Sequence, residues 1–185
     1  MRPARISRTQ VLDATLDLAA EAGLAAVTMR AVAARLEVTP MALYRHVGDK
    51  QGLLDGLVER LMAEIAVPAE AKDTDWRAVL RTMADNVRVI ARRYPDLFML
   101  LFQRRAVTEG AQGPRQTVYR ALRSAGVPEE ELSSLERLLS TLVYGFAASE
   151  AGGRFAGLNI EAEFEYGAAR IEQLVEAAAR GDSAG

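Results

Sequence analysis

The chain has no cysteine and a single histidine, His46. The first absence excludes disulfides and any thiolate metal site. One histidine together with no cysteine argues against a catalytic triad and against a nitrogen–sulfur metal centre. No catalytic residue, metal ligand or cofactor is therefore assigned, and the chain is not read as an enzyme. Long apolar runs are missing too. The longest stretch without a charge, Leu138 to Ser149, is too short to cross a bilayer, and the N-terminus has no apolar signal core. A soluble, cytoplasmic protein with no membrane partner is expected. No segment shows the alternation of β-branched and aromatic residues that marks a strand.

What is present suits helices. Half of the 185 residues are hydrophobic, and Ala, Leu, Arg and Glu dominate. The length allows one or two domains with a substantial core. The net charge is −2, but residues 1–50 carry seven Lys or Arg against five acids, a local balance of +2. A basic end on an acidic body favours meeting a polyanion through that end alone.

The most informative stretch is Thr28 to Lys50, TMRAVAARLEVTPMALYRHVGDK. Val32, Ala33 and Leu36 keep one face of a first short helix. Leu43 and Val47 do so for a second, after a tight polar break. Thr28 suits an N-cap. Thr39-Pro40 supplies a capping hydroxyl and then a proline at the first helical position, where its missing N–H costs nothing. The second helix leaves Thr39, Pro40, Met41, Tyr44, Arg45 and His46 outward. A helix of two turns is not stable alone. It reads as the recognition helix of a helix-turn-helix, laid into a DNA major groove.

The same residues carry a resemblance. Thr28-x-Arg30-x-Val32-Ala33, Leu36-x-Val38-Thr39, and Ala42-Leu43-Tyr44-Arg45-His46-Val47 with Asp49-Lys50 and Leu53-Leu54 resemble the DNA-binding domain of the TetR/AcrR family, over about Ser7 to Ile65. The resemblance implies an all-α fold of about nine helices: residues 1–50 a three-helix DNA-binding domain, residues 51–185 a ligand-binding and dimerisation domain, and helix 4 (about 49–65) linking them. It implies phosphate contacts at Thr28, Tyr44, His46 and Lys50. Arg30, Thr39, Pro40, Met41 and Arg45 are the candidates for reaching bases, Arg45 reading either base or phosphate. Glu37 stands where the family usually has glycine; in the left-handed conformation it costs about 1 kcal/mol.

Along the chain, MRPARI with Arg2 and Arg5 is either a DNA-reaching arm or a frayed end. Ser7 and Gln10 fit a capping box for a helix to Ala22, with Leu12, Leu16 and Ala19 inward and Gly23 ending it. Asp49 caps helix 4. Gly52 and Gly56 within it mark either close packing against helix 1 or a compliant link. Pro68 to Asp75 is a connector. Helix 5 (Trp76 to Arg93) turns Val79, Leu80, Met83, Val87 and Ile90 inward, its arginines forming a solvated face. Asp96 to Arg104 forms a sixth helix, Glu109 to Pro114 a loop, and Arg115 to Ser124 a seventh helix. Helix 8 opens at Pro128 with three glutamates suited to a helix N-terminus. Helix 9 runs from about Glu161 to Arg180, and GDSAG trails.

Leu135, Leu139, Leu142 and Phe146 on helix 8, with Phe164, Ala168, Ile171 and Val175 on helix 9, form two long apolar stripes. Spacing alone allows them to pack within one chain; the resemblance implies a four-helix homodimer interface. Trp76, Met83, Phe98, Phe102, Tyr119 and Tyr144 are core by default. The resemblance makes them candidates for lining a cavity for an unknown apolar or amphipathic effector. The function implied is a sequence-specific transcriptional regulator that binds a palindromic double-stranded operator as a homodimer and responds to a ligand by derepression. A ligand-independent or activating regulator, and a helical protein-interaction module, are the alternatives.

Overall fold

The computed structural model describes residues 6–66, 75–104 and 108–181, with the side chain at position 110 left aside. The basic arm with Arg2 and Arg5, most of the Pro68–Asp75 connector and the end of the tail lie outside the described residues. Every regular element within them is helical: α1 (Arg8–Ala22), α2 (Met29–Arg35), α3 (Pro40–Val47), α4 (Lys50–Ile65), α5 (Trp76–Arg93), α6 (Pro95–Phe98), α7 (Leu100–Gln103), α8 (Glu109–Ser124), α9 (Glu129–Ala151) and α10 (Ile160–Arg180), plus a 3₁₀ turn at Leu24–Ala26. The chain divides into two compact units, Met1–Ala63 with Asp96–Ala111, and Glu64–Pro95 with Gln112–Gly185. Most of α4 thus packs with the N-terminal helices, beyond the boundary at residue 50 drawn from the sequence.

In the first unit, α1 starts at a complete capping box. The Ser7 hydroxyl accepts from the Gln10 N–H at 3.2 Å, and the Gln10 side-chain oxygen accepts from the Ser7 N–H at 2.9 Å. The helix stops at Gly23, whose φ of 77° no Cβ-bearing residue adopts easily. Its inward residues Val11, Leu12, Leu16 and Ala19 meet Val27, Val32, Ala33 and Leu43, and α4 contributes Leu53, Leu57, Val58 and Leu61; all are buried. Arg8–Glu59, Arg35–Glu21 and Arg60–Asp13 tie the helices at the rim, at 2.6, 2.6 and 2.7 Å.

The second unit is built from α5, most of α8, α9 and α10. The Asp75 carboxylate caps α5, accepting from the Arg77 N–H at 3.3 Å, and the Asn159 side chain caps α10, accepting from the Ala162 N–H at 3.2 Å. Three expectations are corrected. The α5 arginines are not merely a solvated face. Arg77 pairs with Glu176, Arg81 with Glu172 and Glu165, and Arg88 with Glu161, forming an antiparallel ionic ladder between α5 and α10. Helical periodicity shows which residues share a side, not which opposite charges a distant helix will bring to it.

The second correction is at Glu109 to Pro114, expected as a loop, which is the start of α8 with Pro114 inside the helix. The Thr108 hydroxyl accepts from the Ala111 N–H at 3.2 Å as a cap. Ala111, Pro114, Val118, Ala121 and Leu122 fall on one buried stripe. Burial of that stripe outweighs the hydrogen bond lost at proline and the poor propensity of glycine. The expected sixth helix is also divided, into the single turns α6 and α7.

Candidate nucleic-acid interface

The α2–α3 pair is set by local chemistry. The Thr28 hydroxyl caps α2, accepting from the Ala31 N–H at 3.1 Å. The turn that follows holds Glu37 at φ 54°, the one non-glycine residue with positive φ among those described. The left-handed conformation expected at this position is therefore present, without the usual glycine. Thr39 is the N-cap residue of α3 with Pro40 behind it, but its hydroxyl makes no cap hydrogen bond. That part of the expectation fails: Pro40 at the first helical position organises the start of the helix, and the Thr39 hydroxyl faces outward with the rest of its surface.

The end of α3 is fixed against α4. Gly48 turns the chain at φ 74°. The Asp49 carboxylate caps α4 as expected, accepting from the Gly52 N–H at 2.9 Å. A Cβ on Gly52 would lie 1.7 Å from the Val47 carbonyl oxygen, so glycine is required for the two helices to meet. Gly52 thus meets the end of α3 and not helix 1, as was expected for both glycines, whereas Gly56 does pack against α1, because a Cβ there would lie 2.1 Å from Leu12 Cδ2. Close packing against α1, rather than compliance, accounts for it.

On this frame, Thr28, Arg30, Thr39, Pro40, Met41, Tyr44, Arg45 and Lys50 are all exposed, Met41 to 75%, and His46 is half-buried. Arg45 Nε donates to His46 Nε2 at 3.3 Å, orienting both side chains. Leu43 alone of α3 is fully buried and anchors the helix. The electrostatics are selective. The described cations of this unit are Arg8, Arg30, Arg35, Arg45, Lys50, Arg60 and Arg104. Arg8, Arg35, Arg60 and Arg104 are each held by carboxylates. Arg30, Arg45 and Lys50, on and beside α3, have no ion pair among the described residues.

The other expected sites are more scattered. Phe98 and Phe102 lie in the first unit, edge to face at 5.9 Å, Phe98 buried and Phe102 exposed. Trp76, Met83, Tyr119 and Tyr144 lie in the second unit; Trp76 and Met83 are buried, the tyrosines half-buried. Burial and the nearby Glu136 push the Tyr144 hydroxyl up to about 12. Of the stripe residues on α9 and α10, Leu135, Leu139, Phe164, Ala168 and Val175 are buried within the chain itself. Phe146 and Ile171 are half-buried, and Leu142 is exposed. The large apolar side chains that these helices leave open are Leu138, Leu142, Tyr166 and Leu174.

Sequence reasoning overlooked the buried charges. Glu136 is buried and accepts from Arg115 Nε at 3.1 Å and from the Ser140 hydroxyl at 3.0 Å. Its signal was legible as a carboxylate inside the Leu132, Leu135, Leu139 stripe. Arg88 gave no such signal, since one arginine among several on α5 looks like the others.

An all-helical chain whose N-terminal unit presents a short, proline-started helix with exposed polar residues and unpaired cations is a helix-turn-helix protein. Residues 11–57 match the family described as bacterial regulatory proteins, tetR family, and residues 80–176 match the tetracyclin repressor-like C-terminal domain. The chain belongs to the TetR family of bacterial regulatory proteins. It is 32% identical over 154 residues to the HTH-type transcriptional repressor DrrR1 of Streptomyces coeruleorubidus, a match covering 80% of this chain and 57% of that protein. The chain therefore spans little more than half the length of that relative. Apo ActR from Streptomyces coelicolor has the same fold, with a TM-score of 0.82 at 23% identity, covering 98% of this chain and 100% of that one. A TetR variant from Acinetobacter baumannii AYE in complex with minocycline superposes with a TM-score of 0.72 at 29% identity, covering 92% and 98%. Among the described residues no helix is long and apolar enough to cross a membrane.

Proposed function

We propose that this chain is a sequence-specific DNA-binding transcriptional regulator of the cytoplasm, a ligand-responsive repressor that binds a palindromic operator as a homodimer and has no enzymatic activity. One observation carries the reading: in a unit where every other described cation is paired with a carboxylate, Arg30, Arg45 and Lys50 remain unpaired around an exposed two-turn helix. Exposed cations that no carboxylate has already neutralised are what phosphate neutralisation and counterion release require.

In this reading Thr28, Tyr44, His46 and Lys50 hold phosphates and set the register, while Arg30, Thr39, Pro40, Met41 and Arg45 meet base edges. Arginine binds guanine at two points and Met41 packs on a thymine methyl, each worth about 1–3 kcal/mol of discrimination. Residues 1–50 carry recognition, and residues 51–185 carry effector binding and dimerisation, with α4 joining them. Two copies meet through α9 and α10, where the exposed Leu138, Leu142 and Leu174 supply apolar surface beside the half-buried Phe146 and Ile171. The buried Leu135, Leu139, Phe164, Ala168 and Val175 support that face from within. The two recognition helices then enter successive major grooves ~34 Å apart. An apolar or amphipathic effector, met by aromatic and methionine side chains of the second unit among Trp76, Met83, Tyr119 and Tyr144, favours a dimer shape in which that spacing is wrong. The relative solved with minocycline and the relative named a repressor support this reading.

Selection of bound sequences from random DNA tests it. A palindromic consensus is expected, with affinity falling steeply as salt rises. Tyr44→Phe and Lys50→Ala should weaken binding to all sequences alike, and Arg45→Ala separates a base contact from a phosphate contact by whether preference relaxes at one position. Recovery of no preferred sequence would overturn the reading.

A further inference from the structure

We infer that Arg104, far along the chain from α3, is a positioning residue for DNA binding; this rests on the proposed function and adds to it a residue outside the helix-turn-helix. Arg104 follows α7, within the compact unit that contains α1 to α3. Its guanidinium is committed to the first turns of α4. Nε and Nη2 donate to Asp55 Oδ1 at 3.0 and 2.5 Å, and Nη1 donates to Gln51 Oε1 at 2.8 Å. Nη2 also reaches the Gln51 carbonyl oxygen at 3.4 Å.

Gln51 directly follows Lys50, whose ammonium is one of the unpaired cations. Gln51 and Lys50 are both exposed, so apolar packing does little to hold them. The next residue, Gly52, sits so close to the Val47 carbonyl that no Cβ fits. A contiguous set of close contacts therefore runs from Arg104 through Gln51 and Asp55 to the first turn of α4, and from Gly52 to the last residue of α3. Holding that turn in one orientation before DNA arrives removes ordering that binding would otherwise have to impose. Arg104 is thus spent on presenting Lys50, and on seating the end of the recognition helix that bears Tyr44. It does not touch the duplex.

The test is a double-mutant cycle on the full chain, read as affinity for the sequence that the parent selects from random DNA, with melting temperature measured alongside. Arg104→Met is expected to weaken binding about tenfold and to lower the slope of log affinity against log salt by about one, as Lys50→Ala does. Adding Lys50→Ala to Arg104→Met should cost little more. Exchanging the charges, Arg104→Asp with Asp55→Arg, should recover affinity. Should Arg104→Met not fold, Arg104→Lys, which keeps the charge but cannot span Asp55 and Gln51 together, is read by the same slope and the same cycle. An unchanged salt slope, or losses at Arg104 and Lys50 that simply add, overturns the inference while leaving the proposed function standing. A parent chain that selects no sequence overturns both.

Discussion

The Arg88 guanidinium on α5 grips the Glu150 carboxylate on α9 at two points, Nε to Oε2 at 2.8 Å and Nη2 to Oε1 at 3.1 Å, with side chains only 3% and 6% exposed. The same guanidinium reaches Glu161 of α10 and lies 4.0 Å from the centroid of the Phe164 ring, so one residue joins three helices. Removing one member of such a pair leaves a buried charge without its counterpart, a loss of about 3–5 kcal/mol. Arg88→Met should fall near the lower figure, because Arg92 lies 3.4 Å from Glu150 and takes over part of the pairing. Arg88→Met combined with Glu150→Leu, which removes both charges, should recover most of the loss. Denaturant unfolding of the two variants checks this.

Gly56 gives a prediction of opposite sign to helix propensity. Alanine at an open helical site would gain about 1 kcal/mol over glycine. Its Cβ, however, would meet Leu12 Cδ2 at 2.1 Å and Cγ at 3.2 Å, and Leu12 is itself buried. Overpacking a tight core costs about 1–3 kcal/mol, so Gly56→Ala should lower stability by a net amount on the order of 1 kcal/mol. Thermal melting reads this as a fall of several degrees. A rise in melting temperature would mean that the α1–α4 contact yields easily.

Glu37 holds φ 54° without glycine's freedom. The left-handed conformation costs an ordinary residue about 1–2 kcal/mol, partly offset when glycine loosens the unfolded chain. Glu37→Gly should therefore preserve or raise the melting temperature and leave DNA affinity intact. A clear fall would show that the glutamate side chain has a role beyond tolerating the turn.

Stability should decline at both ends of the pH scale, for groups of opposite sign. The Glu59 carboxylate is held below its ordinary 4.5 by hydrogen bonding to Arg8, and Glu161 is held below the same value by Arg88. Depressed carboxylates contribute stability above 4.5 and lose it as pH falls through their folded values. Asp85, raised by burial, opposes them. Tyr144 is raised from 10.0 to about 12, chiefly by burial, so its contribution is complete below 10 and is lost as pH rises through about 12. Denaturation midpoints at roughly pH 9 and pH 11 should differ less for Tyr144→Phe than for the parent chain.

Much of the interface was legible because its devices are local. The Ser7–Gln10 capping box, the Thr28 cap, Pro40 at the start of α3 and the Asp49 cap each involve groups within a few residues of one another, whereas the left-handed Glu37 was signalled only by the glycine usual at that place in the resembled family. The backbone there has few alternatives, so residue type and spacing suffice. The same spacing misled where a long-range term was larger, as at Glu109 to Pro114. Glycine and proline there signal a loop, but the buried stripe from Ala111 to Leu122 holds the segment as helix.

By itself, then, the sequence determined the helical class, the short proline-started α3 and which of its side chains turn outward, since hydrogen bonds within a turn and the 3.6-residue period are properties of short segments. The tertiary structure alone decided which cations stay unpaired, because Arg35 finds Glu21, Arg8 finds Glu59, Arg104 finds Asp55 and Arg88 finds Glu150 across 14, 51, 49 and 62 positions. It likewise decided which leucines of α9 are covered and which stay open. A period marks a helix face, but only packing says what lies against it.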